Sequence, residues 1–248
     1  MIEINSLKEL KELDKSDYDK VISVSLPSES LVAIPLVIFK LVNLQELNIY
    51  NNQITIIPKI IGNLTNLKKL YLDNNQLIKI PETIGNLINL NSLYLNNNEL
   101  TKIPKTIGNL IKLKYLDLNE NQLTIIPETI GNLIKLKQLD LSNNNLISLP
   151  ITIGNLININ NFCFYNNKLQ IIPDSIKNIK DKTCIDESSY DNLDNLPYDS
   201  TYLQIYRLNT NITNLPPLLK EIRLYDFIIK DIKVPYGCSL YIDDIKIE

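Results

Sequence analysis

The chain has 248 residues, enough to bury a sizeable core, with 25 basic and 28 acidic side chains interspersed without a polybasic run for a net charge of −3. That balance excludes the clustered basic surface of a nucleic-acid binder, and the absence of any His removes His-based acid–base chemistry, Ser-His-Asp catalysis and most zinc sites. The three cysteines, Cys163, Cys184 and Cys238, form neither a CxxC pair nor a cap-like cluster, which favours a reducing compartment.

At the start of the chain, MIEINSLKELKEL has no basic n-region and no apolar h-region, so no secretory leader is expected. No apolar stretch further on reaches membrane-spanning length. Ser6-Leu7-Lys8-Glu9 has the spacing of a capping box, and Leu7, Leu10 and Leu13 follow on one helical face. A helix over 5–16 is therefore predicted, inside an N-terminal cap of residues 1–20.

From there the prolines keep time. Pro35, Pro58, Pro81, Pro104, Pro127, Pro150 and Pro173 are each 23 residues apart, and Gly62, Gly85, Gly108, Gly131 and Gly154 take the same step. Between them runs the frame LxxLxLxxNxL, starting at Leu44, Leu67, Leu90, Leu113 and Leu136, and again at Ile159. One coil earlier Val21, Val24, Leu26 and Leu31 fill the apolar slots, with Glu29 in place of the Asn. Repetition at this period is the signature of a solenoid. Seven regular coils are predicted over 21–181. Degenerate coils follow at 182–198, 199–217 and 218–236, and a strand over 240–247 closes the chain, so that 182–248 completes one continuous domain.

Each letter of the frame has a physical reason. LxL alternates with period two, so it is a short strand with its leucines turned inward. One coil cannot bury that face alone, but stacked coils form a parallel sheet with a continuous core behind it. Asn52, Asn75, Asn98, Asn121, Asn144 and Asn167 fall where the strand ends, and their amides are suited to pair buried turn N–H and C=O groups. The Ile-Pro and Ile-Gly-Asn pieces form the return path, where the missing proline N–H has no ladder to serve.

The repeat text IPETIGNLINLNSLYLNNNELTK resembles the 23-residue class of leucine-rich repeats, in particular those of intracellular Ras-group scaffold proteins. The shorter coils near Pro197, Pro216 and Pro235 are similar to repeats of bacterial effectors and of giant amoeba-infecting viruses. The resemblance implies an α/β fold: a right-handed horseshoe with a concave parallel sheet, an irregular or 3-10 convex side and a helical cap. It also implies no cofactor, no enzymatic activity and protein–protein interaction on the concave face, as a scaffold or adaptor in signalling. The expected location is the cytoplasm, that of the host if the chain is viral.

Positions three, five and seven of the frame point out of the concave sheet. They place Tyr50, Tyr71, Tyr94 and Tyr115 in successive coils as a diagonal aromatic stripe, with Asp73, Asp117, Glu120 and Asp140 beside it. Tyr supplies stiff contact area with a polar tip, so Tyr50, Tyr71, Asp73, Tyr94, Tyr115, Asp117 and Asp140 are the candidate partner-binding residues. The competing reading is that these Tyr are cross-strand packing. No catalytic or metal-binding residue is expected: carboxylates on an open sheet are expected to lack the desolvation that tunes an acid or base, and Cys163 has no basic neighbour to activate it. Ile88, Ile111, Ile134 and Ile157 recur just before the strand. Half-buried packing between coils is expected there, with a self-associating lateral ridge as the alternative. The partner is expected to be another protein, of basic character, bound by a monomer, with neither nucleic acid nor membrane involved. A structural, self-associating repeat protein, related to a virion or to host interaction, is the alternative function.

Overall fold

The computed structural model describes residues 1–169, 173–179, 183–186, 202–206, 215, 220–225, 233–243 and 245–247. Its strands are β1 (Ile2–Ile4), β2 (Val21–Ser25), β3 (Glu46–Asn48), β4 (Lys69–Tyr71), β5 (Ser92–Tyr94), β6 (Tyr115–Asp117), β7 (Gln138–Asp140), β8 (Asn161–Cys163), β9 (Thr183–Asp186), β10 (Tyr202–Tyr206), β11 (Glu221–Tyr225), β12 (Ser239–Ile242) and β13 (Ile245–Ile247). They lie side by side in chain order in one 13-stranded sheet, parallel throughout except for the last pair. From β3 to β8 the register advances 23 residues per strand without slip, so frame positions stack in straight rows.

Each return path described between β2 and β9 holds a five-residue 3-10 segment with proline just before it, as at Lys59–Asn63 after Pro58 and Lys105–Asn109 after Pro104. The proline carbonyl accepts the first bond of the segment, from Ile61 to Pro58 at 3.0 Å and from Ile107 to Pro104 at 3.1 Å. Successive segments are tied by hydroxyls: Thr106 donates to the Glu82 carbonyl at 2.7 Å and Thr129 to that of Lys105 at 2.6 Å. They pass so close that a Cβ on Gly108 would stand 2.5 Å from the Thr129 carbonyl oxygen. This close approach explains the periodic glycines. Behind the sheet, Leu113, Leu116, Leu118, Leu123, Ile126, Ile130 and Leu133 form the core of one coil, each at most 3 % exposed.

The asparagine ladder forms as expected. The side-chain oxygen of Asn121 accepts from the Leu100 N–H at 3.0 Å, and its amide donates to the carbonyls of Leu95, Leu118 and Asn119 at 3.0–3.1 Å. Glu29 performs part of the same task in the first coil, accepting from the Leu7 N–H at 3.3 Å.

The ends differ in detail from expectation. The capping box is present, with Glu9 N–H donating to Ser6 Oγ at 3.2 Å, but the helix α1 spans only Leu7–Glu12 and a 3-10 segment Lys15–Lys20 follows. Ahead of it Ile2–Ile4 forms a strand, paired parallel with β2, that the amphipathic reading passed over. The closing piece is an antiparallel hairpin, β12 with β13, rather than one strand. Of the degenerate coils, the strands β9 to β11 continue the parallel sheet, and the return paths lie outside the described residues.

Candidate partner-binding face

The row at frame position five runs Asn48, Tyr71, Tyr94, Asp117, Asp140, Cys163 across β3 to β8. One half is aromatic and the other acidic. Because Tyr71 and Tyr94 occupy the same row on adjacent strands, their rings stack with centroids 5.0 Å apart and planes inclined by 3°. Tyr115 stands one row over, opposite Ser92, and Tyr50 lies beyond the end of β3. Neither makes a ring contact among the described residues, so the diagonal stripe resolves into one stacked pair with two outlying rings, both exposed. Some outward positions hold small residues that are in fact covered: Ser92, Ser142 and Cys163 are buried.

The acidic half is electrostatically tense. Burial, opposed by the Asn119 N–H donating at 3.1 Å and reinforced by Asp140, Asp73 and Glu120, pushes the Asp117 carboxyl up to about 6. Asp73 is also raised, chiefly by burial. The Tyr94 hydroxyl is raised by burial first, then by Tyr71 and Asp117. The expectation that carboxylates on an open sheet escape desolvation fails at Asp117, which is partly buried. At the other side, Lys69 pairs with Glu46 at 3.1 Å, which holds the lysine above its ordinary range.

Sequence reasoning missed the residue before each ladder asparagine. Asn51, Asn74, Asn97, Glu120, Asn143 and Asn166 all have φ between 50° and 55°, the left-handed region that Asn tolerates better than most side chains. The doubled Asn of the repeat text was the available signal. Glu120 is the one departure, and it stands beside the acidic row.

Two expectations about single residues are corrected. Ile88, Ile111, Ile134 and Ile157 are 52–64 % exposed rather than half-buried between coils. Cys163 is engaged in a disulfide, against the expectation of cysteines kept reduced and in keeping with the expectation that Cys163 is no nucleophile, whereas Cys238 is a free thiol. Among the described residues no helix is long and apolar enough to cross a membrane, and no cluster of three metal-binding side chains occurs.

Residues 95–196 match the model of a leucine-rich repeat region, and residues 42–87 match that of a two-copy leucine-rich repeat. No curated protein matches the chain in sequence. Among solved structures it is similar to a leucine-rich-repeat protein of Leptospira interrogans, at 29 % identity and a TM-score of 0.63, covering 92 % of this chain and 68 % of that one. It also superposes, at 24 % identity and a TM-score of 0.56, on the leucine-rich-repeat ectodomain of the Arabidopsis thaliana membrane receptor kinase GASSHO1/SCHENGEN3, solved in complex with CASPARIAN STRIP INTEGRITY FACTOR 2. That alignment covers 92 % of this chain and 36 % of the receptor chain. Leucine-rich-repeat proteins commonly act in protein–protein interaction, and the repeat family and the leucine-rich-repeat neighbours are non-enzymatic interaction modules. The stacked coils, the asparagine ladder and the matched residues agree that this chain is folded as a leucine-rich-repeat solenoid.

Proposed function

We propose that the chain is an adaptor that binds a partner protein on its concave sheet, with the Tyr71–Tyr94 stack and the carboxylates of Asp73, Asp117 and Asp140 at the centre. The observation that carries this reading is the stacked pair running directly into the desolvated Asp117 along one row. A stacked pair is already ordered, so little side-chain entropy remains to be lost on binding. A carboxylate kept from water gains from a cation brought beside it, because the dielectric there is low. Together they suit a partner segment presenting Lys or Arg, with the aliphatic stem or guanidinium over the rings and the charge against Asp117. Tyr50 and Tyr115 then serve as outer contacts. The plant ectodomain solved with its named factor is a precedent for a repeat array of this fold holding another chain.

Displayed random peptides, selected on the wild-type protein and counter-selected on Tyr71→Ala/Tyr94→Ala, provide the test. Enrichment of sequences carrying Lys or Arg supports the reading. Enrichment of acidic or purely apolar sequences, or of the same sequences on both proteins, contradicts it.

The protein acts as a monomer on this reading, as light scattering on purified protein would show. A cytoplasmic signalling role draws its support from the likeness to Ras-group scaffolds. The disulfide at Cys163 argues the other way, since such bonds persist in oxidising surroundings. Thiol counting on protein trapped in intact cells distinguishes the two.

A further inference from the structure

The edge of the solenoid where each coil enters its strand has its own chemistry, separate from the concave row. At frame positions just before the strand, Val42, Ile88, Ile111, Ile134 and Ile157 are 52–64 % exposed. Adjacent strands are about 4.8 Å apart, so the four isoleucines form a continuous ridge roughly 14 Å long. The fold does not demand an apolar residue here, because Thr65 fills the same slot in the intervening coil, exposed like its neighbours.

The residue after each ridge position is informative. Where it is Asn, it ties its coil to the one before: Asn43 donates to the Asp19 carbonyl at 2.8 Å, Asn66 to Val42 at 3.0 Å, Asn89 to Thr65 at 2.9 Å and Asn158 to Ile134 at 2.8 Å. In the two central coils that Asn is replaced by Lys112 and Lys135, and the carbonyls of Ile88 and Ile111 receive no such side-chain bond among the described residues. Lys112 instead donates to the Asn89 side chain of the preceding coil at 2.7 Å, whereas no equivalent bond from Lys135 occurs among the described residues, and both places gain a cation beside the ridge. Two residues further on, Lys68, Lys114 and Lys137 add to the same strip. From Val42 to Asn160, the ridge position, the position after it and the position before the strand carry five lysines and no carboxylate, in a chain with net charge −3. Among the described residues none of these five lysines pairs with a carboxylate.

We propose that this edge docks on an anionic lipid surface, with the isoleucine ridge seated at the headgroup boundary and Lys68, Lys112, Lys114, Lys135 and Lys137 facing lipid phosphates and carboxylates. Exposed aliphatic side chains flanked by lysines combine the two attractions of interfacial binding, apolar burial and charge. A second copy is a poorer occupant, since a symmetric ridge-to-ridge pairing would set five lysines against five. Docking by the edge leaves the concave row open, so this inference stands independently of the function proposed above. It departs from the expectation of no membrane contact, which rested on the lack of a spanning segment; a peripheral edge needs none.

The test is co-sedimentation of the full chain with phosphatidylcholine vesicles and with vesicles in which roughly one-third of the lipid is phosphatidylserine. Binding to the anionic vesicles alone, falling steeply as salt is raised from about 50 to about 500 mM, is expected. Lys112→Gln/Lys114→Gln/Lys135→Gln/Lys137→Gln and Ile111→Ser/Ile134→Ser should each weaken it roughly tenfold or more, with unchanged denaturant midpoints. Should the isoleucine variant fail to fold, the lysine variant decides, because it touches no buried side chain. Tyr71→Ala/Tyr94→Ala should bind vesicles like the wild type. No binding at low salt, equal binding to neutral vesicles, or full binding by the lysine variant overturns the proposal. So does a dimer in solution that the isoleucine substitutions dissociate, which would make a second copy the occupant of the ridge.

Discussion

At the scale of single residues, the structure is governed by what is buried and what must be paired. Asn121 makes four hydrogen bonds to backbone groups of its own and the preceding coil, and leucine at that site would leave the Leu100 N–H without a partner, while the three carbonyls keep bonds from Asn98, Asn144 and the Asn97 N–H. An unmet buried group costs ~1–3 kcal/mol, so Asn121→Leu should lower stability by that amount. An unshifted urea midpoint would show that water or relaxation replaces the ladder. Its neighbour Glu120 is held at φ 50°, where five equivalent positions hold Asn. Glu120→Asn should raise stability by roughly 0.5–1 kcal/mol, since Asn enters the left-handed region at lower cost. Asp117 is a different case, a carboxyl whose burial raises its folded pKa from the ordinary 3.8 to about 6. The native state then holds more protons than the unfolded one between those values, so this group's contribution to stability falls as pH rises through that window and is constant above it. Asp117→Asn should remove that slope and stabilise the protein at pH 7 by roughly 1–2 kcal/mol. A parallel pH–stability curve for the variant would place the titration elsewhere.

At the scale of elements, the repeat was legible because each coil obeys the same few constraints. Pro before the 3-10 segment, Gly at the close approach and Leu on the inward rows each answer one local demand, and a period of 23 exposes them all. The N-terminal helix was legible from its capping box, but β1 was not, since Ile2-Glu3-Ile4 is too short to carry a pattern and is held in place by β2. Likewise Asp243, with φ 45°, turns the closing segment back into a hairpin, a choice no periodicity records. Residues 1–20 together supply a strand edge, Ile4 and Leu10 to the core, and the Leu7 N–H that Glu29 accepts. Deleting them should expose Val21, Val24 and Leu26 and lower the melting temperature cooperatively, or cause aggregation. A truncated protein that stays monomeric and equally stable would assign these residues another role.

At the scale of the whole molecule, the described coils separate two kinds of surface. The concave centre is aromatic and acidic, and one lateral edge is aliphatic and basic. The candidate residues of the concave face could be read from frame positions alone, because the sheet register is constant. Their grouping could not. That Tyr71 and Tyr94 stack while Tyr50 and Tyr115 stand apart depends on shared rows, and the burial that raises Asp117 is not recorded in frame position. The ridge was visible as a period, but its exposure depends on how the coils pack. The central claim, that the stacked tyrosines and Asp117 bind a cationic segment, is tested most directly by calorimetric titration of a selected Lys/Arg-bearing peptide into wild-type protein and into Tyr71→Ala/Tyr94→Ala. The account predicts that the double variant, folded to the same extent, loses ~2–4 kcal/mol of affinity. Equal affinity of the two proteins would contradict it.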